Sequence, residues 1–222
     1  MDCHDFSPQE VIDTFRFIEP VNRWCGGYRP LISFFRRESR TWDRDRTCHI
    51  LDVGCGSGDI PAALVRWGRR HGHRLRVTAV DCHPETVELA QQNCRDYPEI
   101  SVSLRDVFDL RDGDADYVMA SMFLHHFPND EAASVLTHLL SLCRRKVVVN
   151  DLRRAPLAYL GTWLFSLLAS PVVRHDARLS IRKGFALEEL HRILIAGSLR
   201  HYRLETHFFY RFLLILSKED PS

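Results

Sequence analysis

The chain lacks most of the features that mark specialised classes of protein. Its seven cysteines (Cys3, Cys25, Cys48, Cys55, Cys82, Cys94 and Cys143) are odd in number and include no Cys-x-x-Cys pair. Such a set offers neither a disulfide framework nor a zinc ribbon, and reduced thiols in a cytoplasmic protein are the expectation. Neither sign of charge is in excess. Lys and Arg total 30 against 29 Asp and Glu, a formal net charge of +1, so the basic surface that nucleic acid demands is missing. No internal repeat or low-complexity tract is present. The opening MDCHDFSPQE is acidic and polar, unlike a secretory signal.

What is there is a regular alternation. At 222 residues the length suits one domain with a small cap. Residues 1–47 read as a helical cap, broken by Gly26-Gly27, with a second amphipathic stretch from Leu31 to about Trp42. From His49 the pattern changes to short apolar runs ending in glycine or acid. HILDVGC (49–55), LRVTAVD (75–81), ISVSLRD (100–106), ADYVMASM (115–122) and KVVVNDL (146–152) are expected strands, each of the kind buried in a parallel sheet. Helices are expected over 60–72, 84–96 (Pro84 at the start), 130–143 and 186–197. The nearly continuous run 200–218 reads as two strands with a tight turn near Tyr210. Strands alternating with helices imply βαβ units, right-handed crossovers and helices on both faces. The expected fold is doubly wound α/β, with a mostly parallel seven-stranded sheet whose last strand is antiparallel.

The sharpest motif is LDVGCGSGD, Leu51 to Asp59. Its glycines at 54, 56 and 58 lie between a strand and a helix, where the chain must turn sharply and approach a ligand closely. A dinucleotide fingerprint would space them Gly-x-Gly-x-x-Gly. Here Asp59 occupies the last position, and a carboxylate there would repel a pyrophosphate on the helix N-terminus. Asp81 ends the second strand about 20 residues on, placed to accept ribose hydroxyls. Asp106 ends the third expected strand and could meet an adenine amino group beside Val107. All three acids lie at the carboxyl ends of adjacent strands, where open α/β sheets bind ligands.

Taken in order, LDVGCGSG, the acid of VTAVD, the acid of LRDVFD and the segment DYVMASMFLHHF resemble class I S-adenosylmethionine (SAM)-dependent methyltransferases. The terminal antiparallel pair is similar too, and the resemblance covers about residues 48–218. It implies a Rossmann-like methyltransferase domain over 48–222, with SAM as cofactor and S-adenosylhomocysteine (SAH) as product. Gly54 and Gly56 would line the methionine moiety, and Asp52 and Cys55 belong to the same cofactor-binding run. Asp81 would bind the ribose, with Cys82 beside the adenine. Asp106 and Val107 would flank the adenine, and Ser121 would sit behind the sulfonium. NRWCGGYRP (22–30) is similar to the N-terminal region of ubiquinone- and menaquinone-pathway methyltransferases. Arg29 is then a candidate for the SAM carboxylate; the other reading is a solvated surface arginine.

The acceptor side rests on less. In MFLHHFPND, His125 is the candidate general base. Small-molecule O-methyltransferases carry a catalytic histidine at a similar place; the other reading is a structural duty for the pair, such as a side-chain bond holding the loop. His126 is a candidate acceptor contact. The uncharged run APLAYLGTWLFSLLASPVV (155–173) approaches the roughly 20 residues of a membrane span. A crossing would separate strands that must share one sheet, so an apolar lid over the acceptor, within an insertion of about 155–185, is expected. A core or dimer helix and weak contact with a membrane surface are the alternatives. SIRKGF (180–185) is similar to an acceptor-proximal loop of quinone-pathway enzymes. His175, Arg178 and Arg182 could hold an acceptor anion there, or be an ordinary basic loop.

The expected function is methyl transfer from SAM to an oxygen of an aromatic or polyketide-like, lipophilic small molecule, of the kind found in secondary metabolism. Carbon methylation of a quinol ring is the near alternative. A macromolecule methyltransferase and a non-catalytic SAM-binding module are the alternatives from other classes. No metal and no nucleic-acid partner are expected, and the oligomeric state stays open.

Overall fold

The computed structural model describes residues 27–111, 113–154, 183–207 and 210–218. Most of the expected cap, and the apolar run 155–173 with His175, Arg178 and Arg182, lie outside the described residues. Seven strands form one sheet: β1 (Cys48–Val53), β2 (Leu75–Asp81), β3 (Ile100–Leu104), β4 (Ala115–Ser121), β5 (Cys143–Leu152), β6 (Tyr202–His207) and β7 (Arg211–Ser217). Their order is β3-β2-β1-β4-β5-β7-β6. The strand pairs among β1–β5 are parallel, and β7 runs antiparallel to both β5 and β6.

Among the described residues five helices cover the sheet: α1 (Arg29–Glu38), α2 (Asp59–His71), α3 (Pro84–Cys94), α4 (Asn129–Ser141) and α5 (Leu187–Ala196). Successive strand residues point to opposite faces, and the core divides accordingly. On one face Ile50, Val77, Tyr117, Met119 and Val148 pack with Leu31, Phe34 and Phe35 of α1 and Leu64 and Trp67 of α2. On the other, Leu51, Val118, Ala120, Val147 and Val149 pack with Val135, Leu136 and Leu139 of α4 and Leu190, Ile193 and Leu194 of α5. A strand buried on both sides must be apolar throughout, which is why these runs read as continuous rather than alternating. Helix ends follow local chemistry. Pro84 opens α3, and Gly72, left-handed at φ 71°, stops α2 with its N–H donating to the Gly68 carbonyl.

Four of the boundaries that differ from expectation are instructive. The first strand stops at Val53, because Gly54 turns left-handed. The third stops at Leu104: Asp106 instead caps a short 3₁₀ turn (Val107–Asp109), its carboxylate accepting the Phe108 N–H at 2.8 Å. Aspartate competes in this way with strand pairing. β5 starts at Cys143, where the register with β4 shifts between Ala115 and Tyr117. The second amphipathic stretch ends as a helix at Glu38 and continues as a 3₁₀ turn over Ser39–Thr41.

The described residues on either side of 155–182 pair with each other. Leu152 and Arg154 pair with Phe185 through Phe185 N–H to the Leu152 carbonyl (3.0 Å) and Arg154 N–H to the Phe185 carbonyl (2.9 Å). The Arg154 guanidinium bonds Glu189 of α5. Both ends of the insertion are thereby pinned just past the carboxyl end of β5.

Candidate cofactor and acceptor site

The carboxyl ends of β1, β2 and β4 meet around the glycine loop. Gly54, Gly56 and Gly58 all have positive φ (69°, 54° and 77°), which L side chains rarely adopt. Space adds a second demand at the outer two. A Cβ at Gly54 would lie 2.5 Å from Cδ2 of Phe123, and one at Gly58 would lie 2.7 Å from Sγ of Cys94. The loop is tied to the sheet by Gly54 and Cys55 N–H groups donating to the Val80 carbonyl at 2.9 and 3.0 Å.

Three acids surround the loop. Asp81 accepts the Gly56 N–H at 3.1 Å through Oδ2 and the His83 N–H at 3.2 Å through Oδ1. Asp59 opens α2. Asp52 is 2% exposed, and its Oδ2 has no hydrogen-bond partner among the described residues. Burial, and then the charges of Asp59 and Asp81, push the Asp52 carboxyl well above the usual carboxylate range. A buried acceptor without a partner is costly.

The other cofactor candidates fall around this centre in different states. Cys82 is exposed, with Sγ beside the His83 ring. Asp106 is exposed, while Val107 is buried beneath it. Ser121 is buried, with Asn150 Nδ2 donating to its Oγ at 3.0 Å. Asn150 also donates to the Gly27 carbonyl at 2.9 Å, which brings the start of α1 to the carboxyl ends of β4 and β5. Arg29, two residues on, is exposed there. Cys55 is the exception. Its thiol is buried with Ala79 and Ala90, its N–H goes to Val80 and its carbonyl accepts from Gly58. It forms the loop from beneath rather than lining its surface.

After β4 the chain turns through Met122 at φ 55° and lays the Phe123 ring against Gly54. Two residues later comes His125. Its Nδ1 lies 2.7 Å from Oδ1 of Asp151, and both side chains are buried (2% and 0% exposed). The His125 backbone N–H donates to Oδ2 of the same carboxylate at 3.2 Å, and Leu152 N–H donates to Oδ1 at 2.7 Å. Burial opposes the Asp151 charge, but the His125 charge and these hydrogen bonds outweigh it and hold the carboxyl below its usual range. A carboxylate on Nδ1 fixes that nitrogen as the donor and leaves Nε2 as the lone-pair nitrogen of the neutral ring. The half-buried His126 packs against His125, ring centroids 4.3 Å apart.

Asp151, Asn150 and Phe123 were not among the residues expected from sequence. Asp151 was detectable: VVVND ends an apolar strand in two polar residues, and a polar pair buried at the carboxyl end of a central strand needs a partner. Phe123 carried no such signal.

Known proteins can now be set beside this geometry. The methyltransferase-domain family matches residues 50–146, which span β1 to the start of β5. The chain is 28% identical over 165 residues to magnesium-protoporphyrin O-methyltransferase of Rhodobacter capsulatus, covering 70% of each chain. It is 28% identical over 120 residues to ubiquinone biosynthesis O-methyltransferase of Xanthomonas oryzae pv. oryzae, covering 50% of this chain and 45% of that one. The chain thus aligns with less than half the length of the second relative. A crystal structure of magnesium protoporphyrin IX methyltransferase from Synechocystis PCC 6803 with bound SAH shares the fold, with a TM-score of 0.61, 15% identity, and coverage of 95% of this chain and 100% of that one.

Proposed function

Because the chain is a class I SAM-dependent methyltransferase, we propose that it methylates an oxygen of an aromatic, lipophilic small molecule, with His125 as the base that takes the acceptor's proton. The observation that carries this reading is the buried His125–Asp151 pair on the loop whose Phe123 touches the glycine loop.

The residues around the glycine loop fit SAM on their own chemistry. A ligand bearing an ammonium and a sulfonium suits a cluster of three carboxylates, where a pyrophosphate would be repelled. The orphan Oδ2 of Asp52 takes the ammonium. The glycines bring backbone close to the methionine moiety, Asp81 accepts the ribose hydroxyls, and Asp106 with Val107 and Cys82 borders the adenine. Ser121 stands behind the sulfonium and Arg29 meets the carboxylate. Bound there, SAM supplies a methyl group already activated for in-line displacement, so the protein's main task is alignment.

A phenol has a pKa of about 10 in water, so its oxygen is a poor nucleophile until the proton leaves. Asp151 orients His125 and stabilises the imidazolium formed when Nε2 takes that proton. His126 and the basic residues Arg178 and Arg182 hold the acceptor's anionic side. The apolar run 155–173 serves as a lid over the acceptor; the pairing of Leu152 and Arg154 with Phe185, beside the strand that carries Asp151, supports this reading. That both relatives are named O-methyltransferases supports oxygen over carbon. The reading places the chain in cytoplasmic small-molecule, secondary metabolism, with no nucleic-acid partner. Among the described residues no helix is long and apolar enough to cross a membrane.

The test is turnover of a panel of alkyl phenols, quinols and polyketides, read by mass spectrometry as the gain of one methyl group. His125→Ala should cut kcat by about 10²-fold or more while leaving the SAH Kd near that of the wild type. A product that retains every hydroxyl would overturn oxygen as the acceptor. Undiminished kcat in His125→Ala would remove the base.

A further inference from the structure

Asp81, Cys82 and His83 are consecutive, yet one ligand atom from each lies within 4.8 Å of the other two. The chain is folded to bring them together. Asp81 ends β2, and the His83 N–H donates back to its Oδ1 at 3.2 Å, closing an aspartate turn. Pro84 then fixes the start of α3. Within this turn the Cys82 Sγ lies 3.4 Å from Nε2 of His83 and 3.6 Å from Nδ1.

We propose that Asp81, Cys82 and His83 form a binding site for a divalent zinc-like cation at the edge of the cofactor site, so that metal and SAM exclude one another. The donor set is the first argument. Thiolate, imidazole and carboxylate together suit Zn²⁺ and its analogue Co²⁺, not the oxygen-seeking Mg²⁺ or Ca²⁺. Geometry is the second. Bonds of about 2.3 Å from zinc to sulfur and about 2.0–2.1 Å to nitrogen, at a tetrahedral angle, put the two ligand atoms about 3.6 Å apart. The Sγ is nearly equidistant from the two ring nitrogens and so lies against the imidazole; a rotation of the His83 side chain turns one nitrogen's lone pair toward a metal shared with that sulfur. Each Asp81 oxygen accepts one N–H and keeps a lone pair for a metal. Access is the third argument: Cys82 is exposed and His83 half-buried, so an ion reaches the site from solvent.

Binding is balanced by one proton. The Cys82 thiol loses H⁺ to solvent as its sulfur bonds the metal, the neutral His83 ring donates a nitrogen lone pair, and nothing is oxidised or reduced. Three protein ligands leave a fourth position for water. The exclusion of SAM rests on the proposed role of Asp81 at the ribose. A metal on that carboxylate removes the acceptor of the ribose hydroxyls and, with the thiol proton lost, leaves the site one unit more positive beside a cationic ligand.

The experiment is a Co²⁺ titration of the full, chelator-treated, reduced chain, following the thiolate-to-cobalt charge-transfer band. The wild type should show a band that Cys82→Ser lacks, that His83→Ala forms only with an affinity weakened about tenfold or more, and that saturating SAH removes. A band as strong in Cys82→Ser as in wild type would overturn the site. A Cys82-dependent band indifferent to SAH would overturn the exclusion. SAH binding is measured separately by calorimetry without metal. Absence of heat there condemns the cofactor assignment alone, because the cobalt band of the apo chain does not depend on it.

Discussion

Two buried carboxylates, Asp52 and Asp151, are driven in opposite directions, and each gives a proton-linked prediction. Asp52 is raised, first by burial and then by Asp59 and Asp81. An unfolded aspartate titrates near pH ~3.9. The folded chain therefore keeps the proton above that pH, and this group's contribution to stability declines as pH rises from about 3.9 toward the folded value. An ammonium placed on Asp52 favours the ionised form, so ligand binding should expel a proton. Calorimetric titration with SAH in two buffers of different ionisation enthalpy near neutral pH should show that release, and Asp52→Asn should abolish it. An unchanged buffer dependence in Asp52→Asn would mean that the ammonium lies elsewhere. Asp151 is lowered: burial alone would raise it, and the His125 charge and hydrogen bonds prevail. Its stabilisation is full above about pH 3.9 and is lost as pH falls through the lower folded value. Asp151→Asn should cost about 1–3 kcal/mol in urea unfolding at pH 7, with the gap to wild type narrowing at pH 3 or below. It should also shift the acid limb of the kcat profile, which a purely structural clamp would not move.

At the scale of the element, the β1–loop–α2 unit admits no side chain at defined points, and the penalty for adding one can be divided. Gly58→Ala faces two penalties: a left-handed backbone at φ 77° and a Cβ only 2.7 Å from the Cys94 sulfur. The first is of order 1–2 kcal/mol for a single L residue. Cys94→Ala removes only the second. Urea unfolding of the two single variants and the double should therefore show a positive coupling, with the double less destabilised than the sum, while the backbone penalty persists. Strict additivity would mean that the sulfur simply moves aside. The same unit shows what a sequence discloses. β2 was legible from Leu75 to Asp81 because its apolar run lies between a glycine turn at Gly72 and a closing acid at Asp81. β3 was overextended to Asp106 because an aspartate that closes a strand and one that caps a 3₁₀ turn look alike until its partner, the Phe108 N–H, is seen. β5 was begun late because Arg144 and Arg145 are exposed at its first turns. Pairing there is read from backbone register, which side-chain polarity does not report. In the site, the glycines and acids were legible since their spacing is local. The His125–Asp151 contact links residues 26 apart in the chain, and no periodicity announces it.

Across the whole molecule, the mixed sheet and its flanking helices build the core of the described residues, and the residues on either side of 155–182 pair with each other. Arg154 N–H and the Phe185 carbonyl are 2.9 Å apart, so a few flexible residues suffice to close the gap without stretching the sheet. If the apolar run 155–173 serves the acceptor rather than the fold, replacing 155–182 with a short Gly-Ser linker separates the two duties. The thermal midpoint should then stay within about 4 °C of wild type, equivalent to no more than roughly 1–2 kcal/mol for a chain this size, and the SAH Kd should hold. Turnover of lipophilic acceptors should collapse, because water is no longer excluded and the apolar surface that binds them is gone. A loss of cooperative unfolding in the linker variant would assign the segment to the core instead. Full turnover with lost sedimentation on anionic vesicles would assign it to a membrane surface, where basic residues flanking an apolar run favour anionic lipid.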